Sequence, residues 1–295
     1  MERRDALLVD AFTETPLSGN VAGVVPEATG LDAEQMRAVA AELGASETAF
    51  VRPGGGEADW LFRYFTPETE VDLCGHATVA AGAALAERGL VTPGTHAVET
   101  NGGVRDLTVD EDGTVWMAGD EPSARQVDLD PDRLADALGV DPVALLDDPP
   151  VAVASAGLPF LLVGLNYQSA LRDADPDEDA VASCCRAVDA TGLYAYTFDT
   201  LTHDATAHGR AFVPLAGLPE DPVTGTASAA AAVHLRRSGA VETDEFVFEQ
   251  GHVLDRPGRV AVRTDGRPRV GGRATVSLSG TITIPASGDT DILEG

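Results

Sequence analysis

The chain of 295 residues contains no lysine at all; its 20 basic residues are all arginine, set against 48 Asp and Glu. The formal net charge of −28 argues against nucleic-acid binding, which needs a basic face. Such a surface is halophile-like: at about 1 M salt the Debye length falls to about 3 Å, and carboxylates keep a chain soluble there. The charge therefore reports on the solvent more than on a ligand. Aromatic residues make up only 5% of the chain, so a core drawn from the 44% hydrophobic residues is built mainly from Ala, Val and Leu. Cysteine is scarce and odd in number, with three residues of which Cys184 and Cys185 are adjacent, so no disulfide framework is expected. No run of about 18 apolar residues is present, and the start MERRDALLVDAF lacks a secretory apolar region, so a cytoplasmic protein with no membrane partner is expected. No P-loop or dinucleotide fingerprint occurs, since neither PGGGEA nor CGHATVAAG has the required glycine and lysine spacing. No cofactor is expected, and no metal: the five histidines His96, His203, His208, His234 and His252 lack metal-ligand spacing and read as structural.

What is present is a set of short strands separated by turn signals. ALLVDAFTETPLSGNVAGVV reads as strand, polar turn and strand. In LDAEQMRAVAAELG, Asp32 and Gln35 form a capping box, Met36, Val39, Ala40 and Leu43 share a face, and Gly44 ends the helix. HAVETNGGVRDLTVDEDGTVWMAG gives antiparallel strands joined at Asn-Gly and Asp-Gly. A polar seam at GDEPSARQVDLDPD marks a lobe boundary, and a capped helix, strands and a polar helix follow it. The last ten residues, ASGDTDILEG, read as an acidic frayed tail.

Two stretches answer each other: FRYFTPETEVDLCGHATVAAGAALAERG and GRAFVPLAGLPEDPVTGTASAAAAVHLRRSG. Each runs from an aromatic through a proline and an acidic segment to a glycine and a small-residue run, and Gly75 and Gly225 lie half a chain apart. Fourteen residues from Leu73 to Ala86 and thirteen from Val223 to Leu235 carry no formal charge. A helix apolar on all sides has to be wrapped on all sides. The economical arrangement is a duplicated α+β fold: two pseudo-symmetric lobes, residues 1–118 with a return over about 275–295, and residues 119–274, each a curled, mostly antiparallel, barrel-like sheet around a central helix. The helix starts would then offer free N–H groups to an anionic ligand between the lobes.

SETAFV, RYFTPETEVDLCGHATVA, EDPVTGTASA and EQGHVLDRPGR, in order after VDAFTETPLSGN, together resemble the phenazine-biosynthesis PhzF-like isomerase and epimerase family. That family's fold is similar to diaminopimelate epimerase, in agreement with the duplicated lobes. The resemblance implies a homodimer and a cofactor-independent isomerase moving a proton between carbons of a small carboxylated metabolite. It places Glu47 at the catalytic carboxylate, His76 and Asp221 at other acid–base and positioning residues, and Asn20, Gly75, Gly225 and Thr226 in substrate binding. Thr226 stands where characterised phenazine enzymes have serine, which narrows the pocket, and Gly258 replaces a small hydroxyl residue. A base in a dry site can have its pKa raised toward working pH. Two other readings compete: a two-thiol racemase using Cys74, or a non-catalytic small-acid-binding protein. Against the first, the repeat places Thr224 opposite Cys74, and threonine cannot serve as the second thiol.

Overall fold

The computed structural model describes residues 1–286. The tail expected to fray lies outside them except for Ala286. The chain forms two compact units, Met1–Met117 with the return from Gly272, and Ala118–Gly271.

The first unit contains strands β1 (Glu2–Ala11), β2 (Asn20–Val25), β3 (Thr48–Pro53), β4 (Trp60–Phe65), β5 (Glu70–Val71), β6 (Gly94–Thr100), β7 (Gly103–Val109) and β8 (Val115–Ala118), and helices α1 (Ala33–Leu43) and α2 (Gly75–Glu87). The strand Ala274–Ile284 returns to pair with β1. From it the order runs β1, β2, β3, β4, β6, β7, β8, with β5 a short hairpin partner of β4. Most pairs are antiparallel, as the turn signals indicate. The β2–β3 and β4–β6 pairs are parallel, each bridged by a helix, because a parallel return needs a crossover.

Helix α2 touches β1, β2 and β3 and also the two far regions of the order, β7 and the returning strand. The sheet therefore curls around it. Ala77 to Gly82, Ala84 and Leu85 are all buried, as a charge-free helix requires. Gly82 is where helix and sheet come closest: an added Cβ would lie 2.8 Å from Val115 Cγ1 and 3.1 Å from Leu107 Cδ2. Helix α1 has the capping box between Asp32 and Gln35 and ends at a left-handed Gly44. It covers the other side of the strands, where Met36, Val39 and Ala40 meet Val25, Phe50, Phe65 and Ile284.

The second unit contains β9 (Ser123–Gln126), α3 (Pro131–Leu138), β10 (Ala152–Ser155), β11 (Pro159–Leu165), α4 (Gln168–Asp173), α5 (Glu178–Ala187), β12 (Gly192–Thr197), β13 (Ala207–Val213), β14 (Leu218–Asp221), α6 (Gly225–Ser238), β15 (Glu245–Gln250), β16 (Gly258–Arg263) and β17 (Arg269–Gly272). Its order is β9, β10, β11, β12, β13, β15, β16, β17, with β14 as the hairpin partner of β13. Again two pairs are parallel, β11–β12 and β13–β15. Strand for strand this repeats the first unit, and α6 is wrapped like α2, touching β9, β10, β11 and β16. Cys184 and Cys185 sit fully buried in the outer layer, where α3 and α5 cover β10 to β12.

His208 is buried against Glu249 and His252, and desolvation lowers its pKa to about 4, so it is neutral near pH 7. Among the described residues no helix is long and apolar enough to cross a membrane.

Gly82→Val should destabilise the protein by about 1–3 kcal/mol through overpacking. Gly266→Ala, in open space, should change stability by less than about 0.5 kcal/mol. Urea midpoints check both; a neutral Gly82→Val would mean that the sheet does not grip the helix there.

Candidate active site

In the first unit the site is built where β3 and α2 begin. Gly44 turns the chain out of α1, and Glu47 follows just before β3. The Gly23 N–H donates to the Glu47 carbonyl at 2.9 Å, fixing that backbone to β2. Only glycine fits there, since a Cβ on Gly23 would come within 2.3 Å of Thr48 Oγ1. Asn20 begins β2 at this same end of the parallel pair and is buried.

The start of α2 is fixed separately. The buried Thr78 hydroxyl donates to the carbonyl of Cys74 at 2.6 Å, so the Tyr64 hydroxyl, 2.7 Å away, donates to Thr78. Burial pushes the Tyr64 pKa well above its ordinary value, which keeps it a neutral donor. The Cys74 side chain makes no capping hydrogen bond to α2.

These two anchors bring Glu47 and His76 together. His76 Nε2 lies 3.5 Å from Glu47 Oε2 and 3.5 Å from Ser46 Oγ, and its Nδ1 lies 3.4 Å from Cys74 Sγ. The imidazole thus has a carboxylate on one nitrogen and a thiol on the other. A proton on Nε2 would point toward the Glu47 carboxylate and leave Nδ1 to accept from the Cys74 thiol. Glu47 keeps 24% of its side chain exposed and His76 11%. The carboxylate is therefore reachable rather than enclosed by this unit.

In the second unit Asp221 ends β14 and accepts from the Thr224 hydroxyl at 2.5 Å. Gln250, fully buried, accepts from the Thr224 N–H at 3.0 Å and donates to the Asp221 carbonyl at 2.7 Å. Gly225 begins α6 and is buried, while Thr226 is half-buried, with its methyl 3.8 Å from where a Cβ on Gly157 would stand. Asp221, Gly225 and Thr226 thus cluster at one helix start, and Glu47, His76 and Gly75 at the other.

Sequence reading missed Ser46, Gln250 and a duplicated clasp. Arg63 forks onto Glu70 at 2.6 and 2.7 Å and lies over the Phe65 ring; Arg210 forks onto Glu220 at 2.9 and 2.7 Å and lies over Phe212. Each clasp ties the hairpin that leads into a central helix. Its signal was in plain view, since R-x-F occurs in both repeats and a glutamate stands five residues before each helix-starting glycine. A cavity of about 240 Å³ opens beside the second clasp, but Arg210 there is already engaged by Glu220 and the carbonyls of Leu171 and Ala174.

Comparison with known proteins gives one consistent result. Residues 9–288 match the family model described as phenazine biosynthesis-like protein, PhzC-PhzF. An uncharacterized isomerase of Bacillus subtilis (strain 168) is 34% identical over 286 residues, covering 95% of this chain and 96% of the relative. The crystal structure of a Bacillus anthracis phenazine biosynthesis protein of the PhzF family superposes with a TM-score of 0.88 at 30% identity, covering 96% of this chain and all of that one. A hydroxyproline epimerase from Agrobacterium vitis, with bound trans-4-hydroxy-L-proline, shares the fold with a TM-score of 0.62 at 14% identity, covering 96% of this chain and 91% of that one.

The two clasps differ in burial, the Arg210–Glu220 side chains being 6% and 11% exposed and the Arg63–Glu70 side chains 21% and 26%. Glu220→Ala should therefore cost about 3–5 kcal/mol by stranding a buried guanidinium, and Glu70→Ala clearly less. The hydrogen bonds from Arg63 lower the Glu70 pKa, so that clasp stabilises above the unfolded carboxylate range and is lost as pH falls through the depressed folded value. Equal costs for the two substitutions in urea titrations would contradict this ranking.

Proposed function

The chain belongs to the phenazine biosynthesis-like family and is an isomerase, and from that premise we propose that it moves a proton between carbons of a small carboxylated substrate, with Glu47 as the base. The observation that carries the reading is the Glu47–His76 pair at the open start of α2. The Glu47 carboxylate removes a proton from the carbon beside the substrate's carboxyl or alkene. The electron pair left on carbon spreads into that group, and N–H donors at the helix start stabilise the charge that develops on oxygen. The proton then returns from Glu47 to another carbon, or to the other face of the same one. His76, with Nε2–H toward Glu47, holds the carboxylate in place.

One base contributes about 10²–10⁴ in rate and one oxyanion donor about 10²–10³, so a weak carbon acid needs both. Asn20 and Gly75, and in the second unit Asp221, Gly225 and Thr226, are proposed to position the substrate. The Thr226 methyl leaves less room than a serine would, which favours a slim substrate over a bulky ring system. Base, donor and positioning groups all come from the chain, so this mechanism requires no cofactor. Three free cysteines accord with a cytoplasmic enzyme.

The thiol reading has one observation in its favour, the 3.4 Å contact of Cys74 Sγ with His76 Nδ1. The second unit offers no opposing thiol, because Thr224 occupies the corresponding helix cap and its hydroxyl is spent on Asp221.

Glu47→Gln should slow isomerisation by about 10²–10⁴ on whichever small amino, hydroxy or unsaturated acid proves active in a screen. Cys74→Ala should remain near wild type in the same assay. The opposite ranking would transfer the base to the thiol.

A further inference from the structure

We propose that Cys74, His76 and Glu47 also form a binding site for one thiophilic divalent cation of the zinc and cadmium class. One ligand atom from each of the three lies within 4.8 Å of the other two. The 3.4 Å between Cys74 Sγ and His76 Nδ1 is close to the separation that a tetrahedral zinc ion sets between its ligands, about 3.6 Å for bonds of about 2.3 and 2.1 Å. The Glu47 carboxylate lies 3.5 Å from the other ring nitrogen, so it has to swing round the ring to reach an ion on Nδ1; the backbones that carry the three ligands are anchored by Gly23 and by the Tyr64–Thr78–Cys74 chain.

The donor set decides the class of ion. A thiolate and an imidazole suit zinc and cadmium, whereas magnesium and calcium prefer sites made wholly of oxygen. Three protein ligands leave a fourth position for water, the arrangement of an open site rather than a closed structural one. On binding, the Cys74 thiol proton passes to solvent, and the sulfur, one ring nitrogen and one carboxylate oxygen each donate a lone pair to the ion. Two of those groups are the ones used in the proposed proton transfer, so metal and substrate exclude each other. That consequence rests on the functional reading above; the binding does not.

The test is titration of the full chain with cadmium chloride in excess magnesium chloride, which saturates the acidic surface. Wild type should take up one cadmium ion per chain and develop the ultraviolet thiolate-to-cadmium band. Cys184 and Cys185 are fully buried, so the band belongs to Cys74. Both Cys74→Ala and the near-isosteric Cys74→Ser should lose it. Glu47→Gln and His76→Asn should each weaken binding by about 10- to 100-fold, at least the loss that follows removal of a ligand's supporting partner. Circular dichroism confirms that each variant is folded. A wild type without the band, a band that survives in both Cys74 variants, or unchanged affinity in Glu47→Gln and His76→Asn would overturn the proposal, whatever the enzyme's substrate.

Discussion

A helix with no charged face cannot lie on a surface, and most of this structure follows from satisfying that condition twice. Helices α2 and α6 are surrounded because strands from both ends of each order reach them. Small residues make the wrapping possible. Ala, Gly and Thr let strands approach a helix that Leu or Phe would hold off, which is why a chain with so few aromatics still builds two cores. Each central helix also serves as the crossover of a parallel pair, so its burial and the sheet's topology are one constraint.

Burial of the helix places its first turn where chemistry is available. The start of α2, preceded by a clasped hairpin, keeps Gly75 and His76 partly exposed. In the first unit that start meets Glu47, held by β2 through Gly23, and the two elements together present a carboxylate, an imidazole and a helix start that the N-cap side chain leaves uncapped. In the second unit the same position is occupied by Thr224, Asp221 and Gln250, a hydrogen-bonded set with no imidazole. The repeat is therefore structural rather than chemical: one framework, for which we propose proton transfer at one helix start and positioning at the other. Such divergence accords with an isomerase that uses a single base rather than a symmetric pair of thiols.

Much of this could be read before the fold was seen. The capping box of α1 and its glycine stop, the Asn-Gly and Asp-Gly hairpins, the two charge-free helices and their equivalence are all local or periodic signals, and they appear as expected. The parallel pairs escaped because strand direction depends on which strands become neighbours, and short alternating runs do not encode that. The clasps escaped for a related reason: Arg63 and Glu70 lie on adjacent strands, and only the register of β4 against β5 brings them together. Gln250 is a sharper case, since a glutamine at the end of a strand carries no sign that it will hold the Thr224 N–H at a helix start, 26 residues earlier in the chain. Glu47 and His76 were each singled out by family likeness, but their contact was not legible, because no spacing rule connects a residue before β3 to one in α2.

We propose that the chain itself abstracts and returns a carbon-bound proton. It is tested most directly by incubating the wild-type enzyme in heavy water with small carboxylated acids and following carbon-bound hydrogen by nuclear magnetic resonance and mass spectrometry. Deuterium is expected at the carbon beside the carboxyl or alkene of the accepted acid, in product and in recovered substrate. Isomerisation of an accepted acid with no solvent deuterium at any carbon, under conditions where the Glu47 proton exchanges freely, would contradict it.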